Sequence, residues 1–338
     1  MKRIITVACA VMLLSGCTNP RYTRFSDAFL DVLDTVTVII AYAQSQEHFD
    51  EAANALYAEL QRLHQIFDTF NTYPGLNNLR TLNLQAGIAP VEVDPIIIEL
   101  LEHSIQAYHD TSGIINIALG PVLEIWRTYR ELNLEDEGHG IPEQDALLAA
   151  ASLSNIEDIV IDRNNNTVFL RYEGMALDVG AIGKAFAMEH ALKEFISLSS
   201  FMLHVGGDII AGEGPRSGSR STWGIGVRNP EAPETPLRVL DILDTSVSTS
   251  GDYHRYFMWE GQRYSHLIDP TTLMPPNKYR SVTVVHQDAV TGNILSSALF
   301  LKSLEDGKAL LQQLGGEALW VLENYELVST AGFDAISR

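Results

Sequence analysis

The sequence predicts a single α+β unit with mixed, mainly antiparallel sheets and packed helices. Runs that alternate β-branched with other residues are interspersed with amphipathic helical segments along the whole chain. The segment IEDIVIDRNNNTVFLRYEG is typical of a β-hairpin, because two β-rich runs flank asparagines that tolerate positive φ. No internal repeat, low-complexity stretch or long linker divides the chain, which indicates one unit.

The N-terminus has the features of an exported bacterial lipoprotein. Lys2 and Arg3 precede the apolar run IITVACAVMLL, which is short for a membrane span, and LSGC then ends at Cys17. We therefore expect lipidation of Cys17 and a membrane anchor at the bacterial cell envelope, facing the periplasm. A weak transmembrane anchor is the alternative. The expected parts are a signal peptide, a tether and a folded domain, over 1–16, 17–28 and 29–338.

Composition restricts the partners of the domain. The net charge of −20 argues against binding nucleic acid through its phosphates. Cys9 and Cys17 are the two cysteines, so the expected folded domain has no disulfide. An anionic ligand would then require a local device such as backbone amides, a helix N-terminus or a divalent cation.

The first half of the predicted domain begins with a strand and a helix. Residues 33–42 alternate at period two, which predicts the strand. The loop-like stretch FNTYPGLNNLRTLN, at 70–83, precedes a second amphipathic helix over 95–111. The apolar face of the first helix consists of Phe49, Ala53, Leu56, Leu60, Leu63 and Phe67.

The stretch DVGAIGKAFA at 178–187 combines an acid, two glycines and a lysine. It follows the expected strand MALDV and begins a helix, a geometry that directs free amides towards an anion. It is not a Walker loop, because Gly180 and Gly183 are only three residues apart and Ala185 follows Lys184. An ordinary strand-to-helix connection is the alternative.

A polar cluster ends the second of two strands expected around YHRYFMW and RYSHLID. His266 and Asp269 in this cluster are candidates to accept a proton or to position a nucleophile. Alternatively, His266 is packed and Asp269 organises an Asp-Pro turn.

Two further stretches suggest ligand contacts. Gly206 and Gly207 permit a close approach of the backbone to a ligand, or else form a bulge or tight turn. Asn293 and Ser297 share one face near the start of a helix expected to begin near Thr291, where a cation-bridged diphosphate would fit. The alternative is a capped helix with two solvated polar residues.

Taken together and in this order, the stretches resemble the ApbE family of periplasmic flavin transferases. The family pattern has DLGxIAKGxA, then GGD, then TSGxY with SHxIDPxTG, and finally DALATA. The likeness spans almost all of the mature chain and includes SGxxxxxxGPxxxxW at Gly113 to Trp126. Members bind FAD and, with Mg²⁺, transfer its FMN half to a Thr or Ser hydroxyl of an acceptor protein, releasing AMP.

The resemblance implies roles for particular residues. Ala181, through its backbone carbonyl, Asn293 and Ser297 correspond to the Mg²⁺ ligands. His266 and Asp269 remain our candidates for the general base. The residues expected near FAD are Tyr73, Ile114, Ile115, Asn116, Asp178, Lys184 and Leu267.

The chain departs from the family pattern at four positions. Asn293 replaces a metal-binding aspartate, and Mg²⁺ prefers carboxylates, so we expect weaker metal binding. Asn116 also replaces an aspartate. Asp34 and Leu273 stand where the family has glycines.

The resemblance implies an FAD:protein FMN transferase whose acceptor is a membrane flavoprotein. The same site could instead serve an FAD pyrophosphatase, in which water replaces the acceptor hydroxyl. A non-catalytic FAD-binding lipoprotein is the third reading, and Asn293 is the feature that supports it.

Overall fold

The computed structural model describes residues 22–338 except Glu137 and Ile196. The predicted signal peptide and the lipidated Cys17 lie outside the described residues. No helix within the described part is both long and apolar enough to cross a membrane.

Strands and helices alternate irregularly along the chain. The described residues contain fifteen strands, β1 to β15, at Thr23–Val32, Thr35–Ala43, Val91–Glu92, Ile159–Asp162, Thr167–Leu170, Phe201–Val205, Asp208–Ala211, Trp223–Val227, Arg238–Ile242, Thr245–Gly251, Tyr256–Trp259, Gln262–Ser265, Tyr279–His286, Glu317–Leu322 and Leu327–Ser329. The same residues contain nine α-helices, α1 to α9, at Gln46–Phe67, Leu79–Leu84, Pro95–Asp110, Gly120–Glu135, Gln144–Ala151, Gly183–Leu192, Ala289–Leu301, Leu304–Leu314 and Ala331–Ala335.

One large antiparallel sheet organises the fold. Its strand order is β1-β2-β6-β7-β10-β13-β14-β15, and smaller sheets are formed by β3-β5-β4, β8-β9 and β11-β12. Every strand pair within the described residues is antiparallel. The predicted α+β class with mainly antiparallel sheets is confirmed.

The main core lies between one face of the large sheet and helices α1, α3, α6 and α7. Leu56, Leu60 and Leu63 of α1 are fully buried there, as the predicted apolar stripe requires. Helix α7 is apolar nearly all round, and all of its residues except Thr291 are buried. Polar side chains on α7 are therefore enclosed by protein.

A small aromatic cluster attaches hairpin β11–β12 to α4. The ring of Trp126 on α4 stacks on Tyr264, which stacks on Phe257. The indole N–H of Trp126 donates to the carbonyl of Leu273 at 2.8 Å. This cluster fixes the chain that leaves β12, which includes His266.

The structure corrects the predicted boundary between tether and domain. Thr23 to residue 28, which we assigned to the tether over 17–28, belongs to strand β1. This strand lies at the edge of the sheet, and Phe29 and Val32 are its only buried residues. The alternation that marks a strand in sequence is therefore weak here.

Two further predictions of secondary structure are wrong. The stretch 70–83 is not entirely a loop, because Asn78 and Thr81 form a capping box that begins α2. The segment MALDV at 175–179 is not a strand. The backbone of Leu177 instead forms two hydrogen bonds with the side chain of Asn83. The amide of Asp178 donates to the carbonyl of Ile117.

Gly120 allows α4 to begin directly against the segment that carries Asp178. A Cβ at this position would lie 2.3 Å from the carbonyl oxygen of Ala176. We expect Gly120→Ala to lower the free energy of unfolding by about 1–3 kcal/mol, because backbone must move to relieve the overlap. Urea denaturation of the purified chain measures this change.

Gly307→Ala in α8 is the matched control for this substitution. Its added Cβ would meet a side-chain methyl group of Leu299 at 3.1 Å rather than backbone. We expect a change within about 1 kcal/mol, since helix propensity favours alanine. Equal effects of the two substitutions would show that the contact with Ala176 is not tight.

Candidate active site

A buried carboxylate joins three elements at the centre of the site. Asp208 begins β7 and is 4% exposed. Its Oδ1 accepts a hydrogen bond from Nδ2 of Asn293 on α7 at 2.8 Å. Its Oδ2 lies 3.6 Å from Nζ of Lys184 in the first turn of α6. The start of α6, β7 and α7 therefore meet at one point.

Gly206 and Gly207 form the tight turn that places Asp208. Val205 and Asp208 are paired across this two-residue hairpin, and Gly206 has a φ of +63°. A Cβ at Gly207 would lie 2.9 Å from the carbonyl oxygen of Thr249. Gly206 and Gly207 therefore form a tight turn, which is one of the two interpretations that their sequence allows.

Asn293 and Ser297 lie one turn apart on α7, and both are buried. The hydroxyl of Ser297 is 3.1 Å from that of Ser250 on β10. Neither residue is a solvated surface group, and Asp288 rather than Thr291 caps the helix. The helix begins at Ala289, close to the predicted start.

The amide oxygen of Asn293 fits a metal ligand. Oδ1 is buried and has no hydrogen-bond partner among the described residues. An ionised carboxylate only accepts hydrogen bonds, so Asp208 fixes the amide with Nδ2 towards itself and Oδ1 away from it. A buried oxygen without a donor is costly, and a hard cation such as Mg²⁺ would satisfy it.

The carbonyl of Ala181 belongs to the loop that enters α6, three residues before Lys184. Asp208 contacts both Lys184, which follows this loop, and Asn293 on α7, so the loop lies near α7. Within residues 22–338, apart from 137 and 196, no group of three or more His, Cys, Asp or Glu side chains is placed to hold a metal. The expected ligands are of other types: a backbone carbonyl, an amide and a hydroxyl.

At the start of α6 the amide of Gly183 donates to the carbonyl of Val179 at 2.7 Å, which leaves the next amides, of Lys184 and Ala185, to meet an anion. Ile182 occupies the N-cap position, and no side chain caps the helix. The helix dipole therefore adds positive potential beside Lys184.

His266 lies in a positively charged environment. Burial, followed by the charges of Arg255, Arg130 and Lys184, lowers the pKa of His266 to about 3. The ring is partly accessible, but Nδ1 is enclosed and has no hydrogen-bond partner among the described residues. The imidazole is therefore neutral at physiological pH.

Several cations cluster around this histidine. Burial, with the charges of Arg127 and Arg255, lowers the pKa of Arg130. Within the described part of the chain, neither Arg130 nor Arg255 has a carboxylate in ion-pair contact. An anion bound here would relieve their mutual repulsion. The acidic protein thus has a local basic surface.

Asp269 has the structural role that we considered as its alternative. Its Oδ1 accepts from the amide of Thr271 at 2.8 Å, and its carbonyl accepts from the amide of Leu273. The carboxylate therefore organises the turn after His266. Of the two candidate bases, His266 is the one whose side chain is not engaged in this turn.

A hydrogen bond and an ion pair hold the side chain of Asp178 in place at the start of the 178–187 stretch. Its Oδ1 accepts from the amide of Gly180 at 2.9 Å, and its Oδ2 is 3.1 Å from the guanidinium of Arg127. Arg127 also lies over the ring of Phe70, 4.4 Å from its centroid. Phe70 is 51% exposed, so an apolar face remains open to a ligand.

Tyr73 is fixed by Asp68. The hydroxyl of Tyr73 donates to Oδ2 of Asp68 at 2.8 Å. Burial, this hydrogen bond and the charges of Asp68 and Asp34 raise the pKa of Tyr73 to about 12. The ring is half-buried and held in one orientation, which suits stacking.

The remaining expected FAD contacts are placed less favourably for side-chain contact. Ile115 is buried in the main core, and Ile114 and Leu267 pack against that core. Asn116 accepts from the amide of Ala118 at 2.9 Å and donates to the carbonyl of Ser154 at 2.8 Å. Its side chain therefore caps a short 3₁₀ helix.

A cavity of about 610 Å³ lies elsewhere, between α3, α6 and the N-terminus of α7. Its lining includes His103, Glu189, His190 and Asp288, and none of the predicted site residues. The carboxylate of Glu189 accepts from the amide of Ala289 at 2.7 Å and helps to cap α7.

Comparison with known proteins agrees with these observations. The model of the ApbE family matches residues 33–320. This chain belongs to the ApbE family. An FAD:protein FMN transferase of Treponema pallidum (strain Nichols) is 31% identical over 97% of this chain and 92% of its own length. An FAD:protein FMN transferase of Klebsiella pneumoniae (strain 342) is 29% identical over 82% of this chain and 85% of its own length.

Solved ApbE structures share the fold. The ApbE protein of Thermotoga maritima superimposes with a TM-score of 0.80 at 25% identity, over 94% of this chain and 100% of its own. The flavin transferase ApbE of Vibrio cholerae gives a TM-score of 0.77 at 20% identity, over 94% of this chain and 100% of its own.

Two departures from the ApbE pattern concern backbone conformation. Asp34 and Leu273, which stand where the family has glycines, have φ values of 53° and 61°. Aspartate tolerates the left-handed region, and Asp34 lies in the β1–β2 turn. Leu273 is strained by comparison, and its buried side chain in the aromatic cluster offsets that cost. Both residues therefore adopt the left-handed conformation that glycine takes most easily.

Sequence reasoning named Lys184 but missed the arginines around His266 and the role of Asp208. Asp208 was visible as the acid of the GGD element, but its partner Asn293 is 85 residues away. Arg127 and Arg130 are three residues apart on α4, a spacing that places them on one face. Nothing in the sequence indicates that Arg255 lies near them.

The low pKa of His266 predicts a pH dependence of stability. The unfolded chain binds a proton at His266 below about pH 6.5, whereas the folded chain does not until about pH 3. The contribution of His266 to stability is therefore complete above pH 6.5 and decreases as the pH falls towards 3, by up to about 1.4 kcal/mol per pH unit. Chemical denaturation of the wild type and His266→Gln at several pH values measures it.

As the pH falls, the unfolding free energy of the wild type should decrease relative to that of His266→Gln. His109→Gln is the control, because His109 is exposed and lies 3.6 Å from Glu157 at the surface. Parallel curves for wild type and His266→Gln would show that His266 titrates normally.

Proposed function

We propose that this chain is a Mg²⁺-dependent FAD:protein FMN transferase. It cleaves the diphosphate of FAD, attaches FMN through a phosphoester to a Thr or Ser of an acceptor flavoprotein and releases AMP. One observation carries the proposal: Lys184, one of the cations around His266, lies 3.6 Å from a buried carboxylate whose amide partner has an oxygen with no donor among the described residues. Membership of the ApbE family and the relatives of this name support it.

The diphosphate of FAD is the anion that the basic surface fits. Arg130, Arg255 and Lys184 would neutralise its charge, and the amides at the start of α6 would donate to its oxygens. Tyr73 and the exposed ring of Phe70 would provide stacking surfaces for the flavin half.

Asn293, Ser297 and the carbonyl of Ala181 would hold Mg²⁺, which when bound neutralises charge on the diphosphate. Oδ1 of Asn293 has no donor among the described residues, and Ser297, one helical turn further along α7, is also buried. These are oxygen ligands of the type that Mg²⁺ takes.

The transfer is a displacement at phosphorus. The acceptor hydroxyl oxygen forms a bond to the phosphorus of the FMN half, and the bond from that phosphorus to the bridging oxygen breaks. AMP leaves with the bridging oxygen. The neutral imidazole of His266 accepts the hydroxyl proton, and a bound diphosphate would raise its pKa by offsetting the neighbouring cations.

Lipidation of Cys17 would bring the enzyme to membrane flavoproteins at the bacterial cell envelope. The apolar leader that ends in LSGC supports this location. Strand β1 begins at Thr23, so a lipid at Cys17 would keep the first residue of this strand within about 20 Å of the membrane surface.

Incubation with FAD, Mg²⁺ and a candidate acceptor domain tests the activity, with intact-mass measurement of the acceptor. We expect a covalent FMN increment together with AMP. Rapid AMP release without acceptor would identify an FAD pyrophosphatase instead. Bound FAD without AMP would identify a flavin-binding lipoprotein and contradict the transferase.

His266→Ala should lower the rate of transfer by about 10²- to 10⁴-fold, because the acceptor hydroxyl loses its base. FAD affinity, measured by flavin fluorescence, should change much less. His109→Ala is the control at an exposed site. Transfer by His266→Ala at the wild-type rate would exclude this residue as the base.

A further inference from the structure

We infer that Asp208 is a positioning residue that orients the Asn293 amide for the cation and supplies the negative charge that Asn293 lacks. The inference rests on the proposed function. It assigns the carboxylate at the start of β7 a part in Mg²⁺ binding although Asp208 is not itself a ligand.

The orientation follows from hydrogen-bond chemistry. The amide of Asn293 has one donor end and one acceptor end, and without a fixed neighbour either end could face the cation. The carboxylate of Asp208 accepts from Nδ2 at 2.8 Å, so only Oδ1 is left to face away from it. The burial of Oδ1 without any partner among the described residues shows that this orientation serves no other hydrogen bond.

The negative charge of Asp208 lies near the proposed ion. The Asp208 carboxylate touches the amide that would ligate the ion, so its negative charge is close to the site. Its side chain is only 5% exposed, so solvent screens that charge little. Lys184 offsets part of the charge at 3.6 Å, a separation beyond ordinary hydrogen-bond length.

The same geometry explains why an asparagine is acceptable at position 293. An aspartate in the same pose would bring two carboxylates to about the present 2.8 Å contact, and one would then require a proton or a cation. With asparagine, the pair is already hydrogen-bonded before any metal arrives. The pair then carries one negative charge, that of the Asp208 carboxylate.

Mg²⁺ titration of the purified full chain tests this inference, with and without FAD, by calorimetry and by the shift in Tm. We expect Asp208→Asn, which removes the charge, and Asp208→Ala, which removes both the charge and the acceptor, each to weaken Mg²⁺ binding by at least about tenfold. Asp241→Asn is the matched control, because it removes a strand carboxylate that pairs with Arg338. It should leave Mg²⁺ affinity unchanged.

Asp208→Asn retains an acceptor for Nδ2 of Asn293, so its Tm without Mg²⁺ should stay near that of the wild type. This variant carries the test if Asp208→Ala does not fold. Wild-type Mg²⁺ affinity in Asp208→Asn would overturn the inference and leave the proposed function intact. Absence of Mg²⁺ binding by the wild type, with and without FAD, would instead overturn the Mg²⁺ dependence on which the inference rests.

A double variant separates charge from mere disruption. Asp208→Asn combined with Asn293→Asp exchanges the acid and the amide and keeps one negative charge in the pair. We expect it to recover most of the Mg²⁺ affinity lost in Asp208→Asn. Failure to recover would contradict the electrostatic role assigned to Asp208.

Discussion

The buried carboxylate of Asp208 is the contact on which the arrangement of the site depends. It joins the start of α6, through Lys184, to the middle of α7, through Asn293. Burying a charge is costly unless it is paired and hydrogen-bonded, and these two partners meet that requirement. Because this buried acid must contact both partners, it fixes the position of α6 relative to α7.

The second constraint is electrostatic. The chain has a net charge of −20, yet Arg130, Arg255 and Lys184 all act on His266. Mutual repulsion within this cluster is tolerated because the aromatic contacts of Trp126 and Tyr264 hold α4 against hairpin β11–β12. Burial, together with the same cations, keeps the histidine neutral. A bound diphosphate would therefore change both their repulsion and the basicity of the imidazole.

The sequence predicted much of the fold, because periodicity is local information. The strand from residue 35, helices α1 and α3 and the hairpin around Asn166 all follow from spacing and turn chemistry. Strand β1 was missed because its edge position leaves few buried residues. MALDV was wrongly predicted as a strand, because its backbone hydrogen bonds are made with distant segments. Motif order predicted Asn293, Ser297 and His266 as site residues. The hydrogen bond from Asn293 to Asp208 and the position of Arg255 depend on packing between distant segments. The spacing of residues along the sequence does not indicate such packing.

The most direct test of this account is a crystal structure with FAD and Mn²⁺, in which anomalous scattering locates the ion. The account predicts an ion within about 2.0–2.6 Å of Oδ1 of Asn293, with the Ala181 carbonyl and the Ser297 hydroxyl as further ligands. Nδ2 of Asn293 should remain on Asp208. An ion bound elsewhere, with Oδ1 of Asn293 still without a partner, would contradict the central claim.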